Sequence, residues 1–324
     1  MKSGILKQFI PYLAVIIAML IWAGAGIAVK EALLVFTPMT LIVLRFSIAV
    51  VLMFVIGMLF KRNNLLGLNR LKVKDLPYFL LGGLLQPFLY FIFETYTYKS
   101  FDSPTIAEAM LSTQPILAPI FAWIILREQI TRNNILGILV STIGMLILLL
   151  VGTDTFSLGN PLGIVLSFIT VSTSVGYTIV LRKIPSYYSP LSIVFYVQTF
   201  SLFLFYLAWG FNACINDETF FAIDILSIAT TQFSHAILSV AYLSVLASVV
   251  AFVLFCFTVR KIGVARANVF NNIRPVFTAL IMLTLFGEQL PFSKCIGILC
   301  IILGLFISQK SQNNVNAVEK NVKI

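Results

Sequence analysis

Long apolar runs separated by short polar segments dominate the chain. A helix needs roughly 20 apolar residues to cross a bilayer, and ten of the runs approach that length. Their approximate limits are 11–30, 39–60, 77–98, 104–126, 134–152, 161–182, 190–210, 236–258, 265–286 and 292–309. Turn-forming Pro, Gly and Asn residues lie between most of them. The pattern predicts an all-α membrane protein with ten transmembrane helices.

A stretch of the first half recurs in the second half without a gap. Shifted by 160 positions, residues 101–145 fall on 261–305. The matching positions are Ala107/Ala267, Pro115/Pro275, Glu128/Glu288, Gln129/Gln289, Gly137/Gly297, Ile138/Ile298, Leu139/Leu299 and Gly144/Gly304. The Pro, the Glu-Gln pair and the Gly residues are informative, because Ile, Leu and Ala matches arise easily in so apolar a sequence. A weaker match at a shift of 152 pairs Gly24 with Gly176, so the duplication extends upstream.

Each half of the duplicated chain contains five predicted spans. Because five is an odd number, the second copy enters the membrane from the opposite side, and the repeat is inverted. We predict a first five-helix repeat over 1–152, a second over 153–310 and a disordered cytoplasmic tail over 311–324. Inverted repeats typically place a substrate site between the halves near the middle of the membrane and alternate access by rocking. The duplication therefore predicts a transporter.

The composition narrows the class of protein. The 324 residues are 60% hydrophobic and 10% charged, whereas a soluble domain has about 25% charged residues. A lipid bilayer is therefore the expected surrounding. The net charge of +10 reflects basic loops on one side of that bilayer, and no nucleic-acid partner is predicted. The four cysteines and the single His235 show no ligand spacing, so no metal site, disulfide framework or cofactor is predicted.

The distribution of Lys and Arg predicts the orientation. If the N-terminus is cytoplasmic, most of the Lys and Arg residues fall in inner segments, as the positive-inside rule requires. The long connection before the eighth span is then outside, and it carries acidic residues. We expect both termini in the cytoplasm of a bacterium and the chain in its inner membrane. The Ala23-Gly24-Ala25 segment resembles a signal-peptidase site, but it belongs to the repeat and is not predicted to be cleaved.

Polar side chains recur on single faces of several predicted spans. An unpaired polar group at membrane depth costs several kcal/mol, so each needs an explanation. Stripes of this kind lie on the third, fourth, sixth and ninth spans and predict a wet central cavity. The candidate substrate-binding residues are Trp22, Gln86, Tyr90, Glu94, Glu108, Ser112, Tyr177, Tyr242, Asn268, Asn271, Asn272 and Arg274. The alternative for the neutral groups is bonding between neighbouring helices, worth on the order of 0.6 kcal/mol each.

The charged candidates have alternatives of their own. Glu94 and Glu108 are predicted to bind a substrate ammonium group or to carry a coupled proton, because an intramembrane carboxylate is functional by default. They could instead reach water near the outer ends of their helices. Arg274 could hold a substrate carboxylate through two parallel hydrogen bonds, or it could pair with one of the glutamates. An α-amino acid would match a guanidinium, a carboxylate and an aromatic wall.

Other residues are predicted to be structural. Pro115 and Pro275 should kink their helices, and Glu128 and Glu288 should cap the helices that follow. Arg45 lies near the outer end of its span and is expected to extend toward the interface. Glycines that recur every seven residues predict close helix packing, with a possible homodimer contact. They are Gly137, Gly144, Gly297 and Gly304.

The chain resembles the drug/metabolite transporter superfamily, and its EamA-type branch in particular, over roughly 10–310. The resemblance rests on Ile21-Trp22-Ala23-Gly24 followed by Lys30, on Pro38 followed by Leu44-Arg45-Phe46, and on the duplicated Pro, Glu and Gly pattern. It implies a cavity lined by the first, third and fourth helices and their counterparts, the sixth, eighth and ninth. Similar members export amino acids or other small metabolites, and related branches carry nucleotide sugars or phosphorylated sugars.

The first interpretation is a secondary transporter that exports small metabolites, with amino acids as the expected substrates. The chain has no Gly-x-x-x-x-Gly-Lys-Ser/Thr segment for ATP, so a gradient or exchange would drive transport. A nucleotide-sugar or sugar-phosphate antiporter is the alternative, although it should have several cations in its cavity. An intramembrane enzyme is not predicted, because no nucleophile–base pair is present at depth. A membrane receptor or scaffold would have no need of an inverted duplication.

Overall fold

The structure is a computed structural model that describes part of the chain. The described residues are 2–101, 107, 110–111, 121, 124, 132–150, 161–216, 230–287, 295–304 and 306–307. The predicted fourth span therefore lies almost entirely outside the described residues, as does the predicted tail.

The helices of the described residues include α1 (Lys2–Leu33), α2 (Pro38–Leu59), α3 (Leu76–Gly83), α4 (Tyr90–Ser100), α5 (Arg132–Leu150), α6 (Pro161–Lys183), α7 (Pro190–Asn216), α8 (Thr230–Tyr242), α9 (Ala251–Ile262), α10 (Val264–Val269), α11 (Arg274–Phe286) and α12 (Cys295–Gly304). Six segments are long and apolar enough to cross a membrane: Phe9–Leu33, Pro38–Leu59, Val73–Ser100, Pro161–Lys183, Pro190–Phe211 and Thr230–Ile262. Shorter apolar helices occupy the predicted fifth, ninth and tenth spans. The predicted all-α membrane class is confirmed.

Three of the spans are interrupted near their midpoints. A π-helical turn at Leu84–Leu89 joins α3 to α4, and a second at Leu243–Val250 joins α8 to α9. The first contains Gln86, whose extended backbone (φ −151°, ψ 117°) precedes Pro87, as the ring of a following proline requires. A 3₁₀ turn at Phe270–Ile273 joins α10 to α11. The two π turns are about 160 residues apart, so the interruption is duplicated along with the sequence.

These interruptions supply backbone acceptors at membrane depth. The carbonyl of Ala247 accepts a hydrogen bond from the indole of Trp22 at 3.0 Å, and that of Ser248 accepts one from Gln198 at 2.8 Å. In the other repeat, the carbonyl of Gly83 accepts from Ser201 at 2.7 Å. Bonds of this kind satisfy groups that water cannot reach in a bilayer. The third and eighth spans are therefore fastened to neighbouring helices at or beside their breaks.

The recurring glycines form a single helix crossing between α5 and α12. A Cβ on Gly144 would lie 2.5 Å from the carbonyl oxygen of Gly297, and a Cβ on Gly304 would lie 2.5 Å from that of Gly137. The predicted close packing is confirmed, and the glycine faces are filled within one chain. A homodimer contact at these faces is therefore not supported, and a homodimer elsewhere stays a prediction.

The pairing at this crossing has a direction. In the repeat, Gly297 is the equivalent of Gly137, and Gly304 is the equivalent of Gly144. In the structure, Gly144 contacts Gly297 and Gly304 contacts Gly137. Such reciprocal contacts mark a two-fold relation, and the reversed order means that α5 and α12 run antiparallel. The two copies therefore enter the membrane from opposite sides, as an inverted repeat must.

The first helix of each repeat packs against the other repeat. Helix α1 packs along α8 and α9, and α6 packs along α3 and α4. Gly24 of α1 lies under the ring of Tyr242, and its equivalent Gly176 of α6 lies under Leu85. The first helix of each repeat thus contacts the third span of the other repeat. The space between the repeats is bounded by both.

A hydrogen-bonded cluster joins the repeats at the face predicted to be cytoplasmic. The Asp75 carboxylate, 4% exposed, accepts hydrogen bonds from the hydroxyls of Tyr187 and Tyr188. The ammonium of Lys72 lies 4.1 Å from the Tyr187 ring, and the Arg260 guanidinium donates to the Tyr188 carbonyl. We call these five residues the inner network. It ties the loop after α2 to the loop after α6 and to the end of α9.

Hydrogen bonding in the inner network changes the acidity of its members. The Tyr187 hydroxyl holds the pKa of Asp75 below its usual value of 3.8, with smaller contributions from Tyr188 and the neighbouring lysines. Partial removal from water, followed by the bond to Asp75, raises the pKa of Tyr187. The carboxylate is therefore ionised and the phenols are neutral at physiological pH.

Candidate functional site

A cavity of about 500 Å³, including its opening, lies between the two repeats. Of the predicted residues, the structure brings together Trp22, Gln86, Tyr90, Glu94, Tyr177, Asn271 and Arg274. They come from the first, third, sixth and ninth spans, as the resemblance implies. Contributions from the fourth span would fall outside the described residues.

Glu94 lies inside the cavity wall. Its side chain is 6% exposed, and its Oε1 accepts a hydrogen bond of 2.7 Å from the hydroxyl of Tyr90, one helical turn earlier. The side chain does not reach bulk water at a helix end, because α4 packs against α6 along this stretch. A buried carboxylate with a phenol donor is a group that can bind a cation or exchange a proton.

Arg274 lies where the ninth span is interrupted. It is the first residue of α11 and is 4% exposed. Its guanidinium carbon is 5.9 Å from the centre of the Trp22 ring, within the range of a cation–π contact. The indole is itself fixed by its hydrogen bond to Ala247. The 3₁₀ turn thus places a cation beside an aromatic wall near the middle of the predicted ninth span.

The asparagine row serves partly in packing. The amide of Asn271 donates to the backbone carbonyl of Asn268 at 3.1 Å, and the amide of Asn268 donates to the hydroxyl of Thr178 at 3.3 Å. Asn271 also lines the cavity, but Asn268 does not. Asn268 and Asn271 therefore join the ninth span to α6, and Asn271 contributes its side chain to the site.

Tyr242 does not line the cavity. Its hydroxyl donates to the carbonyl of Ile21 at 2.7 Å, and its ring covers Gly24. It fastens α8 to α1 and is a structural residue in this arrangement. The prediction that it contacts substrate is not supported by its position.

Several predicted residues lie outside the described residues. They are Glu108, Ser112, Pro115, Glu128 and Glu288, together with the side chain of Asn272. Pro275 occupies the first turn of α11, directly after the 3₁₀ turn. The predicted break in the ninth helix thus occurs beside this proline. The roles predicted for the other residues stay predictions.

The position of Arg45 differs most from the one that the sequence predicts. The residue is 3% exposed and lines the cavity, so it does not extend to the interface. Its Nε donates to the hydroxyl of Ser248 at 2.7 Å, and its guanidinium carbon lies 4.3 Å from the centre of the Phe91 ring. The partner hydroxyl is 203 residues away in sequence. Only the packing of α2 on the second π turn brings the two together.

The remaining wall is largely aromatic and apolar. The lining residues that were not among the candidates are Ala25, Val29, Arg45, Phe91, Tyr98, Ser174, Phe252 and Phe255. Trp22 meets Phe252 edge-on at 5.1 Å between ring centres, and Phe252 lies 6.0 Å from Phe91. A continuous aromatic wall therefore runs from the Arg274 side of the cavity to the Arg45 side.

Comparison with known proteins places this architecture in a family. Residues 9–150 and 161–309 each match the model of the EamA-like transporter family. The uncharacterized transporter YetK of Bacillus subtilis is 24% identical over 93% of this chain and 87% of its own. The uncharacterized transporter YcxC of the same organism is 26% identical over 98% of this chain and 96% of its own.

Two further comparisons agree. An uncharacterized transporter of Archaeoglobus fulgidus is 25% identical over 88% of this chain and 94% of its own. A solved crystal structure superimposes with a TM-score of 0.68, covers 91% of this chain and 98% of its own, and is 18% identical, which supports the fold alone. Because the family model matches both halves, this chain belongs to the EamA-like transporter family and is a multi-pass membrane transporter of the drug/metabolite transporter superfamily.

Proposed function

We propose that this protein is a secondary transporter that exports or exchanges amino acids across a bacterial cytoplasmic membrane. The observation that carries the proposal is the cavity between the repeats, which holds a carboxylate and a guanidinium on an aromatic wall. Transport would proceed by rocking of the two repeats around this cavity. Both termini would face the cytoplasm, as the distribution of Lys and Arg predicts.

The chemistry of an α-amino acid matches the groups in the cavity. The Glu94 carboxylate suits the ammonium group, and the Arg274 guanidinium suits the carboxylate. The rings of Trp22 and Phe252 offer an apolar surface to the side chain. Each polar group of the substrate would lose water on entering the cavity, and these partners would replace that water.

A sugar-phosphate or nucleotide-sugar antiporter is the second candidate. The observation that favours it is Arg45, because a phosphate needs more than one cation and the cavity contains both Arg45 and Arg274. Glu94 argues against it, since a carboxylate would repel a phosphate unless it were protonated. The two candidates therefore differ in the substrate groups that they require.

Counterflow in proteoliposomes tests both candidates. Vesicles are preloaded in turn with single amino acids, phosphorylated sugars, nucleotides and polyamines, and uptake of the labelled compound is measured. We expect exchange of amino acids, reduced at least about 10-fold in Arg274→Gln and in Glu94→Gln, because each change removes one charge-assisted hydrogen bond. Arg132→Gln is the matched control, since Arg132 is an exposed arginine at the start of α5.

The outcomes separate the alternatives. Exchange that persists in Arg274→Gln would remove that residue from the site. Exchange limited to phosphorylated compounds would replace the amino-acid proposal with the antiporter. Folded protein that exchanges none of these compounds would contradict both.

A further inference from the structure

Arg45 presents an unused edge of its guanidinium to the cavity. Its Nε bonds to Ser248, and one face of the group lies against the Phe91 ring. Among the described residues, no acceptor of a hydrogen bond from its two terminal nitrogens is found. Neither nitrogen is among the fully buried polar atoms that lack a hydrogen-bond partner, so both are accessible from the cavity. The remaining edge of the fork therefore faces the space that a substrate would occupy.

Holding a guanidinium in this position is costly. A charge at membrane depth is tolerated when it is paired or lines a wet cavity. The cation–π contact with Phe91, and a weaker one at 5.5 Å to Phe46, offset part of this cost. The hydrogen bond from the charged Nε to Ser248 offsets a further part. These contacts orient the group, and the Glu94 carboxylate of the same cavity acts on its charge electrostatically.

The orientation is suited to one kind of ligand. A guanidinium fixed at Nε and at one face keeps both terminal nitrogens in one plane, which is the geometry that binds a carboxylate or a phosphate through two parallel hydrogen bonds. Lysine could not provide this fork. The anchor Ser248 is itself held in the second π turn, where Gln198 bonds to its carbonyl.

The position of Arg45 relative to Arg274 defines the ligand further. Arg274 lies beside Trp22, and Arg45 lies beside Phe91, at the two ends of the aromatic wall that Phe252 completes. The two guanidinium groups are therefore held against different rings of this wall.

We propose that Arg45 binds a second acidic group of the substrate, so that the preferred substrates carry two acidic groups. The proposal rests on the proposed transport function and names its substrate class. With the α-carboxylate at Arg274 and the ammonium at Glu94, an acidic side chain reaches Arg45. The shared chemistry is an oxyanion, which a carboxylate or a phosphate can provide.

Pairs of nearly isosteric ligands test the proposal. Binding to the detergent-solubilised full chain is measured by calorimetry for glutamate against glutamine, and for phosphoserine against serine. We expect the acidic member of at least one pair to bind about 10- to 100-fold more tightly, as a charge-assisted bidentate contact requires. The first pair reports a carboxylate and the second a phosphate.

Variants of Arg45 and its anchor decide whether this residue is responsible. In Arg45→Gln we expect the preference for the acid to disappear while binding of the amide or of serine is retained. Arg45→Lys should keep part of the preference, and Ser248→Ala should weaken it because the fork loses its anchor. Arg132→Gln, with the same loss of charge on the surface, should bind every ligand as the unsubstituted protein does.

The results distinguish this proposal from the one on which it rests. If Arg45 had a merely structural role, its substitution would weaken binding of the acid and of its neutral counterpart equally. That result would overturn the inference. Amino-acid counterflow with no preference between glutamate and glutamine, or between phosphoserine and serine, would overturn it as well and leave the transport proposal standing. Tight binding of both acids without any amino-acid counterflow would support the inference and contradict the transport proposal.

Discussion

Replacing Gly144 with valine is expected to prevent the protein from folding stably. A Cβ at this position would lie 2.5 Å from the carbonyl oxygen of Gly297 and 2.8 Å from the amide nitrogen of Ile301. Both are backbone atoms, so no side-chain rotation can relieve the clash and α5 must separate from α12. Overpacking of an interior costs roughly 1–3 kcal/mol when side chains can adjust, and a larger loss is expected here. Size-exclusion chromatography and thermal unfolding in detergent measure it.

The inverted repeat supplies a second test of the same contact. Gly304→Val should cause a loss similar to that of Gly144→Val, because its Cβ would meet the carbonyl of Gly137 at 2.5 Å. Gly210→Ala in α7 is the control, since no atom lies within 4 Å of a Cβ there. Its melting temperature should stay the same or rise slightly, as alanine favours a helix more than glycine does. Valine variants that melt like the parent would show that α5 and α12 do not cross at these glycines.

The close packing of the glycine faces could be predicted from the sequence, because a position where two backbones touch has little tolerance for any residue but glycine. The seven-residue spacing and the 160-residue shift indicated which faces pack closely. They did not indicate that the partner of each face is the other repeat. Only the structure identifies the packing partner, since the same spacing serves equally for contact with a second copy of the chain.

The residues that line the cavity could be predicted only in part from the sequence. Trp22, Glu94 and Arg274 drew attention because aromatic and charged groups are expensive or specialised within apolar helices. Arg45 is just as charged, but its position near the end of an apolar run suggested the interface. Its actual surroundings depend on a π turn in another repeat, and no periodicity in the sequence of that segment indicates such a turn.

The inner network could not be predicted from the sequence either. Tyr187 lies in a polar connection, and Asp75 and Arg260 lie at the polar ends of their spans, where charged residues need no explanation. A sequence pattern therefore gives no reason to connect them. In the structure they join both repeats at one face, which is the place where rocking of the repeats would have to separate them.

Substituting Asp75 with alanine is expected to loosen the predicted cytoplasmic face. The change removes the acceptor of two tyrosine hydroxyls, and that of the buried Tyr188 is left inside the fold, which is unfavourable. We expect a lower melting temperature and several-fold faster alkylation of Cys256, a buried thiol in α9. The rate is measured in a chain whose other cysteines are serine. Glu31→Ala, which removes a half-buried carboxylate from the last turn of α1, should leave both properties unchanged.

The charge of Asp75 makes its contribution dependent on pH, and Asp75→Asn isolates that dependence. The inner network lowers the pKa of Asp75 below 3.8, so the folded state binds fewer protons than the unfolded state. The resulting stabilisation is fully present above the ordinary aspartate pKa and is lost as the pH falls through the lower, folded value. The difference in melting temperature between the parent and Asp75→Asn should therefore be constant from neutral pH down to about pH 5 and shrink under stronger acid. A difference that instead grew on acidification would mean that the carboxylate is repelled in the folded protein, and that its two tyrosine donors do not hold the repeats together.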